Sequence, residues 1–408
     1  MNNDAHTLRN LSLDAFDHPS AGDTWERCTL AGASDARLVE AVVAAITPPK
    51  QTTSPSSFVL HAPLELLARA ALLPRVEPGA RDGARRLIAA IAVRYAHAGA
   101  EADPPHSAFA DDEAALAALL QALRDGDGQG VDSAVCFLLP RVPLARLRAA
   151  LVDELVPRLG AAAHAPILLA ALPRVADRIA GVGGLLRAPL RTLAASPDRL
   201  TWHLQTHAAG GSAAGVDPAR ELFDALAAPL RLKSSSMIAA TVLAVERSGD
   251  AARLLAGPLQ TLSLLQGERV LLRVAALSML QDDPAHAPYG WTHCLTLPQA
   301  LLANADAATD PRAPVAVAAT QVLAFRATLG KVTLVADAPF DTLADMPAGN
   351  RAGQFTTLAT QAALHPDAHL AKYTLACFDA AERDPEAAPL FLAAAARLGV
   401  WWEARTKG

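Results

Sequence analysis

Apolar residues recur at three- and four-residue intervals along almost the whole of this chain, a spacing that an α-helix turns into one buried face. ARLVEAVVAAI (36–46), ARRLIAAIAVRYA (84–96) and PLARLRAALVDELVPRL (143–159) show it clearly. Alanine and leucine dominate while aromatics make up only 4%, which favours helices packed closely through small side chains over a β-sandwich. Short stops rich in Gly, Pro, Ser and Asp separate the periodic runs: TPPKQTTSPSS (47–57), RDGDGQGVD (124–132), AAGGSAAGVD (208–217), QDDPAHAPYG (281–290) and ADMPAGNRAG (344–353). None is long enough for a flexible tether between domains. The β-branched run KVTLVADA (331–338) is the one place that reads as a strand or extended segment. The expectation is an all-α fold: a single large multi-helical domain over 31–405, built of antiparallel helix pairs with little or no β, after a partly disordered tail at 1–30.

Hydrophobic residues at 52% against 19% charged supply ample surface for a large core. A net charge of −5 without a basic cluster argues against a nucleic-acid groove or an anionic membrane surface, both of which need a field of positive sign. The start, MNNDAHTLRN, has no apolar core of a signal peptide, and the most apolar stretch, 161–172, is broken well short of the ~20 residues that span a bilayer. A cytoplasmic protein is expected. Cys28, Cys136, Cys294 and Cys377 lie far apart with no CxxC pair, so reduced thiols acting as small hydrophobes are expected.

Common catalytic signatures are missing. There is no HExxH, and no Glu is followed by His three residues on, which removes zincin helices and the di-iron bundle motif. Asp111-Asp112 and Asp282-Asp283 lack the further carboxylates that magnesium needs and read as helix-start and turn residues. Gly126–Gly130 and Gly181–Gly184 are glycine-rich but follow helices, not strands, and GGSAAG (210–215) is not GxSxG.

What chemistry remains lies in histidines and one lysine. His61-Ala62-Pro63 precedes LELLARAALL and His164-Ala165-Pro166 precedes ILLAAL. If each proline is the first helical residue, both histidines sit just upstream of a helix, where the dipole favours the neutral ring that a metal requires. A turn that happens to contain histidine explains either copy equally well. Farther on, ALHPDAHLAKYTLACFDAAERD (363–384) reads as a helix that starts at Pro366, with Asp367 in its first turn and His369 and Lys372 neighbours on one face. The chain has five lysines against 31 arginines, and Lys50, Lys233, Lys331 and Lys407 all fall in turns or the tail. Lys372 alone sits inside a helix, where an amine offers what arginine lacks, the ability to lose its proton. A neutral amine can serve as a Schiff-base nucleophile, a general base, or, after taking up carbon dioxide, a carbamate that ligates metal. Alternatively His365, His369, Lys372, Asp379 and Arg383 share one stripe and form the wet face of the helix.

Asp367-Ala368-His369-Leu370-Ala371-Lys372 resembles the D-A-H-x-x-K segment near the C-terminus of the questin oxidase-like family, helical proteins similar to fungal anthraquinone ring-opening oxygenases. SSFVLHAPLELLARAALLP (56–74) resembles that family's N-terminal histidine helix, LGAAAHAPILLAAL (159–172) its central A-x-H-x-x-I helix, and GWTHCLTLPQALL (290–302) its later T-H segment. The matches fall in order over most of the chain. The resemblance implies a mononuclear non-haem iron, Fe(II), held by His61, His164, His293, His369 and a carboxylated Lys372, with His286 as the alternative to His293. Four neutral imidazoles leave the full charge on iron, and a carbamate would supply the hard anionic oxygen.

The implied activity is that of an oxidoreductase: an iron-dependent oxygenase, with O2 and an aromatic polyketide as substrates, inserting oxygen with a Baeyer–Villiger outcome and opening the ring. A reductant such as NADPH is an open requirement. Trp291 and Tyr373 are the aromatic candidates for orienting a flat substrate. Two other readings stand beside this one: a non-catalytic helical-repeat interaction scaffold, and a helical protein that binds zinc through the same imidazoles.

Overall fold

A computed structural model describes residues 3–9, 29–51, 58–103, 105, 108–160, 164–196, 198–204, 217–230, 238–336 and 350–406. The fold is all-α: the described residues form eighteen α-helices with short 3-10 turns between them, and no strand is found among them. They make two compact units, unit 1 from Met1–Asp198 with Ala363–Pro366 and unit 2 from Arg199–Ala362 with Asp367–Gly408.

Unit 1 contains α1 (Asn3–Arg9), α2 (Asp35–Ile46), α3 (Phe58–Leu72), α4 (Arg81–Ala96), α5 (Asp112–Asp125), α6 (Gly128–Leu138), α7 (Leu144–Leu155), α8 (His164–Ala171) and α9 (Arg187–Ala194). The core forms where α2, α3 and α4 pack on one another and where α6 packs on α5 and α9. Part of the expected N-terminal tail is ordered. Leu8 of α1 is fully buried, and the Arg9 guanidinium donates from Nε and Nη2 to the Ala45 carbonyl at 3.0 and 2.6 Å, tying α1 to the end of α2. Residues 10–28 lie outside the described residues.

The glycine-rich stretch after α5 is a pair of helix caps. Gly126 adopts φ +78°, the left-handed conformation that ends a helix and that a side chain disfavours. Asp127 then caps α6, its carboxylate accepting from the amides of Gln129 and Gly130.

Unit 2 contains α10 (Pro218–Ala227), α11 (Ile238–Arg247), α12 (Asp250–Thr261), α13 (Leu264–Gln281), α14 (Thr292–Leu302), α15 (Arg312–Leu329), α16 (Arg351–Leu364, its last two residues in unit 1), α17 (Ala368–Arg383) and α18 (Ala388–Thr406). Here α14 packs on α15 and α17, and α18 packs on α13 and α17. Among the described residues no helix is long and apolar enough to cross a membrane.

Ser263 and Gln266 form a capping box at the start of α13, each side chain bonding the other residue's backbone amide. Ser263→Ala should therefore lower stability by about 1 kcal/mol. A denaturation midpoint indistinguishable from wild type would show that the box contributes nothing.

Of the run at 331–338, the described residues 331–336 form no strand, with a bend at 332 and a turn at 336. Leu334 instead donates its amide to the Ala227 carbonyl, and the backbone of Val335 is held by both ends of the Gln281 amide.

Candidate functional site

In unit 1, α8 packs against α3 and brings His164 against His61. Their rings meet edge to face with centroids 4.5 Å apart, and His164 Nε2 lies 3.4 Å from His61 Nδ1. His164 is buried and His61 half-buried. Two nitrogens bound at about 2.1 Å to one cation at a tetrahedral angle lie about 3.4 Å apart. The same spacing suits a ring-to-ring hydrogen bond, in which one of the two nitrogens carries a proton. The expected placement upstream of the helices needs correction: α3 already begins at Phe58 with Pro63 inside it, and His164 is itself the first residue of α8. Proline is accommodated because the first amides of a helix have no intrahelical acceptor, and Pro63, one turn farther in, replaces a single i→i−4 donor.

In unit 2 the start of α17 is organised by Asp367. It is the N-cap and not, as expected, a first-turn residue. One carboxylate oxygen accepts from the His369 amide at 2.7 Å and from His369 Nδ1 at 2.9 Å, and the other accepts from the Tyr289 hydroxyl at 3.1 Å. Burial works to raise the Asp367 carboxyl, but these hydrogen bonds outweigh it and bring the group down to about 2. Asp367 is thus the acceptor, and His369 must carry its proton on Nδ1. Burial and the neighbouring carboxylate both push the Tyr289 phenol up, so it remains a donor.

His293, at the second position of α14, directs Nδ1 to the Tyr289 carbonyl, which can only accept, so it too is protonated on Nδ1. In each ring, when neutral, the lone pair therefore resides on Nε2, the arrangement that carbonyl or carboxylate partners impose on metal-binding histidines. The two rings lie 5.1 Å apart, and the Tyr289 ring stands edge-on to His369 at 4.9 Å. His286, the alternative to His293, instead packs its ring against Trp291. Lys372 follows one turn after His369 on α17 and is half-buried, so its stripe is neither wholly wet nor wholly enclosed.

The structure thus places four of the expected residues as two imidazole pairs, one in each unit. Among the described residues, no group of three or more His, Cys, Asp or Glu is placed to hold a metal ion. The donors fit a divalent cation in kind, through their tautomers and spacing, while neither unit by itself presents more than two of the expected imidazoles.

Trp291 and Tyr373, expected to face a substrate, are both fully buried. Trp291 Nε1 donates to the Asp283 carbonyl at 3.0 Å, and Tyr373 lies in the core of α17 beside Cys377. The aromatic residue at the imidazoles is Tyr289, 55% exposed and flanked by Trp402 on α18. Its only signal in the sequence is the PYG that precedes the T-H segment.

Cys294 and Cys377 are buried free thiols, and burial pushes Cys294 up to about 12 and Cys377 upward as well, so both act as core residues. His6 and His97 are exposed, and His365 is half-buried. His203 lines a cavity of about 310 Å³ in unit 2 with Trp202, Leu259, Leu262 and Arg312, and burial lowers its pKa. His18, His106, His207, Cys28, Lys233 and Lys407 lie outside the described residues. No family model, curated protein or solved structure matches the chain.

Proposed function

We propose that this chain is a metal-dependent oxygenase acting on a polycyclic aromatic substrate, its candidate iron ligands falling in two groups, His61 with His164 in unit 1 and His293, His369 with Lys372 in unit 2. The observation that carries this is the pairing: histidines more than 70 residues apart in sequence meet ring to ring in each unit. In unit 2 both rings also have Nδ1 committed to an oxygen acceptor, leaving Nε2 as the lone-pair atom. Iron bound there would supply the one-electron chemistry that lets dioxygen react with a closed-shell aromatic ring. The chain's part is to hold the imidazoles correctly turned. A carbamate on Lys372, formed from its deprotonated amine and carbon dioxide, would add an anionic oxygen to neutral nitrogen donors.

Metal analysis of protein purified from iron- and zinc-supplemented cells tests this. Wild type should carry iron, and His61→Ala, His164→Ala, His293→Ala, His369→Ala and Lys372→Ala should each lower its content by at least ~10-fold. Iron-free wild type, or full iron in every variant, would remove the oxygenase reading. Zinc alone in wild type, lost in the same variants, would make this a zinc-binding helical protein.

A further inference from the structure

We propose that Tyr289 is a positioning residue that fixes both imidazoles of unit 2, His293 through its backbone carbonyl and His369 through its hydroxyl and Asp367. This rests on the assignment of His293 and His369 as metal ligands and extends it to the device that turns them.

The segment Ala287–Trp291 is one turn of π-helix directly before α14. Such turns place a residue where the regular ladder would not, and they recur at functional sites. Two residues anchor this one. Trp291 is fully buried and its indole N–H is held by the Asp283 carbonyl. Gly290 is pressed so close to α15 that a Cβ there would come within 2.5 Å of Leu329 Cδ1 and 3.1 Å of His286 Cβ. Tyr289 immediately precedes both and is 55% exposed. Its carbonyl accepts from His293 Nδ1, while its hydroxyl donates to the carboxylate oxygen of Asp367 that His369 does not use. The ring is also fixed, edge-on to His369 at 4.9 Å and to Trp402 at 6.3 Å. A tyrosine half in solvent, tied by its carbonyl, ring and hydroxyl to a histidine pair, is placed to orient that pair. Groups that hydrogen-bond to metal-ligating histidines in this way change metal affinity by 10–100-fold on mutation.

The test is cobalt(II) titration of the full-length, chelator-stripped chain, followed by absorption, with melting temperature measured in parallel. Tyr289→Phe keeps the carbonyl and the ring and removes only the hydroxyl. It should weaken cobalt binding about 10-fold at an unchanged melting temperature. Asp367→Asn should weaken it too, and Tyr289→Phe/Asp367→Asn should be no worse than Asp367→Asn alone, because the hydroxyl acts through that carboxylate. Wild-type affinity in Tyr289→Phe, with binding lost in His369→Ala, would overturn the positioning role and leave the ligand assignment standing. A melting temperature lowered in proportion to affinity would reduce Tyr289 to a structural residue and also overturn it. Failure of wild type to bind cobalt at all would remove the ligand assignment and this inference with it.

Discussion

Arg326→Met should destabilise the protein by about 3–5 kcal/mol, the cost of leaving one half of a fully buried ion pair without its partner. The side chains of Arg326 and Asp282 have no exposed surface, and Arg326 Nη1 donates to Asp282 Oδ2 at 2.6 Å. The rest of the guanidinium is also engaged, with Nη2 donating to the carbonyls of Ala227 and Val332 and Nε to that of Leu226. Asp282 accepts in addition from the amides of Asp283, Lys331 and Val332. One ion pair thus holds together the ends of α10, α13 and α15 and the segment after them. Methionine fills much of the volume but supplies no donor, leaving a carboxylate in the core and three carbonyls short of a partner. Arg326→Met/Asp282→Leu should recover only part of the loss, because leucine strands the three amides that Asp282 receives. The denaturant midpoint at unchanged slope reads the effect, and a loss below ~1 kcal/mol for the single variant would refute it.

A second large effect is expected at Arg69. Arg69 and Glu65 are one turn apart on α3, both essentially unexposed, and paired at 2.9 Å; Arg94 reaches the same Glu65 oxygen at 2.8 Å. Arg69 also donates to the carbonyls of Ala363 at 2.8 Å, His365 at 2.9 Å and Pro366 at 3.4 Å. Arg69→Met should again cost about 3–5 kcal/mol, and Arg69→Lys should not rescue it. An ammonium cannot present the planar fork that serves a carboxylate and several carbonyls together. Because Pro366 immediately precedes the Asp367 cap, Arg69→Met should also broaden the NMR resonances of the His369 ring. Full rescue by lysine would show that charge alone matters at this position.

Much of the architecture was readable from residue pattern. Periodicity gave the helices, and Ser34, Asp111, Asp217 and Ser263 mark helix starts because a short polar side chain there meets an orphan amide. The buried arginines were less legible. LLARAAL and LAFRATL each set one guanidinium in an apolar run, and whether such a group lies inside depends on acceptors supplied from distant sequence.

The lysines are no more legible. Lys372 has the helical context, yet Lys50, at an isolated bridge to Glu101, is the more deeply buried amine, and burial lowers its pKa. Trp291 and Tyr373 were chosen for proximity in sequence to the histidines, but helical geometry turns both into the core. The KVTLVADA run has strand-like residues without a partner strand, so side chains and a helix end hold it instead. The histidine pairings had no local signal, since each joins residues on different helices.

Unit 1 closes on four residues that the chain returns only after traversing most of unit 2. A truncated polypeptide ending at Asp198 would lack the carbonyls of Ala363, His365 and Pro366 that Arg69 grips, leaving a desolvated cation short of acceptors. The amino-terminal half is therefore expected to be less stable alone than in the whole chain. A peptide spanning the missing turn, added in trans, is the natural complement for restoring it.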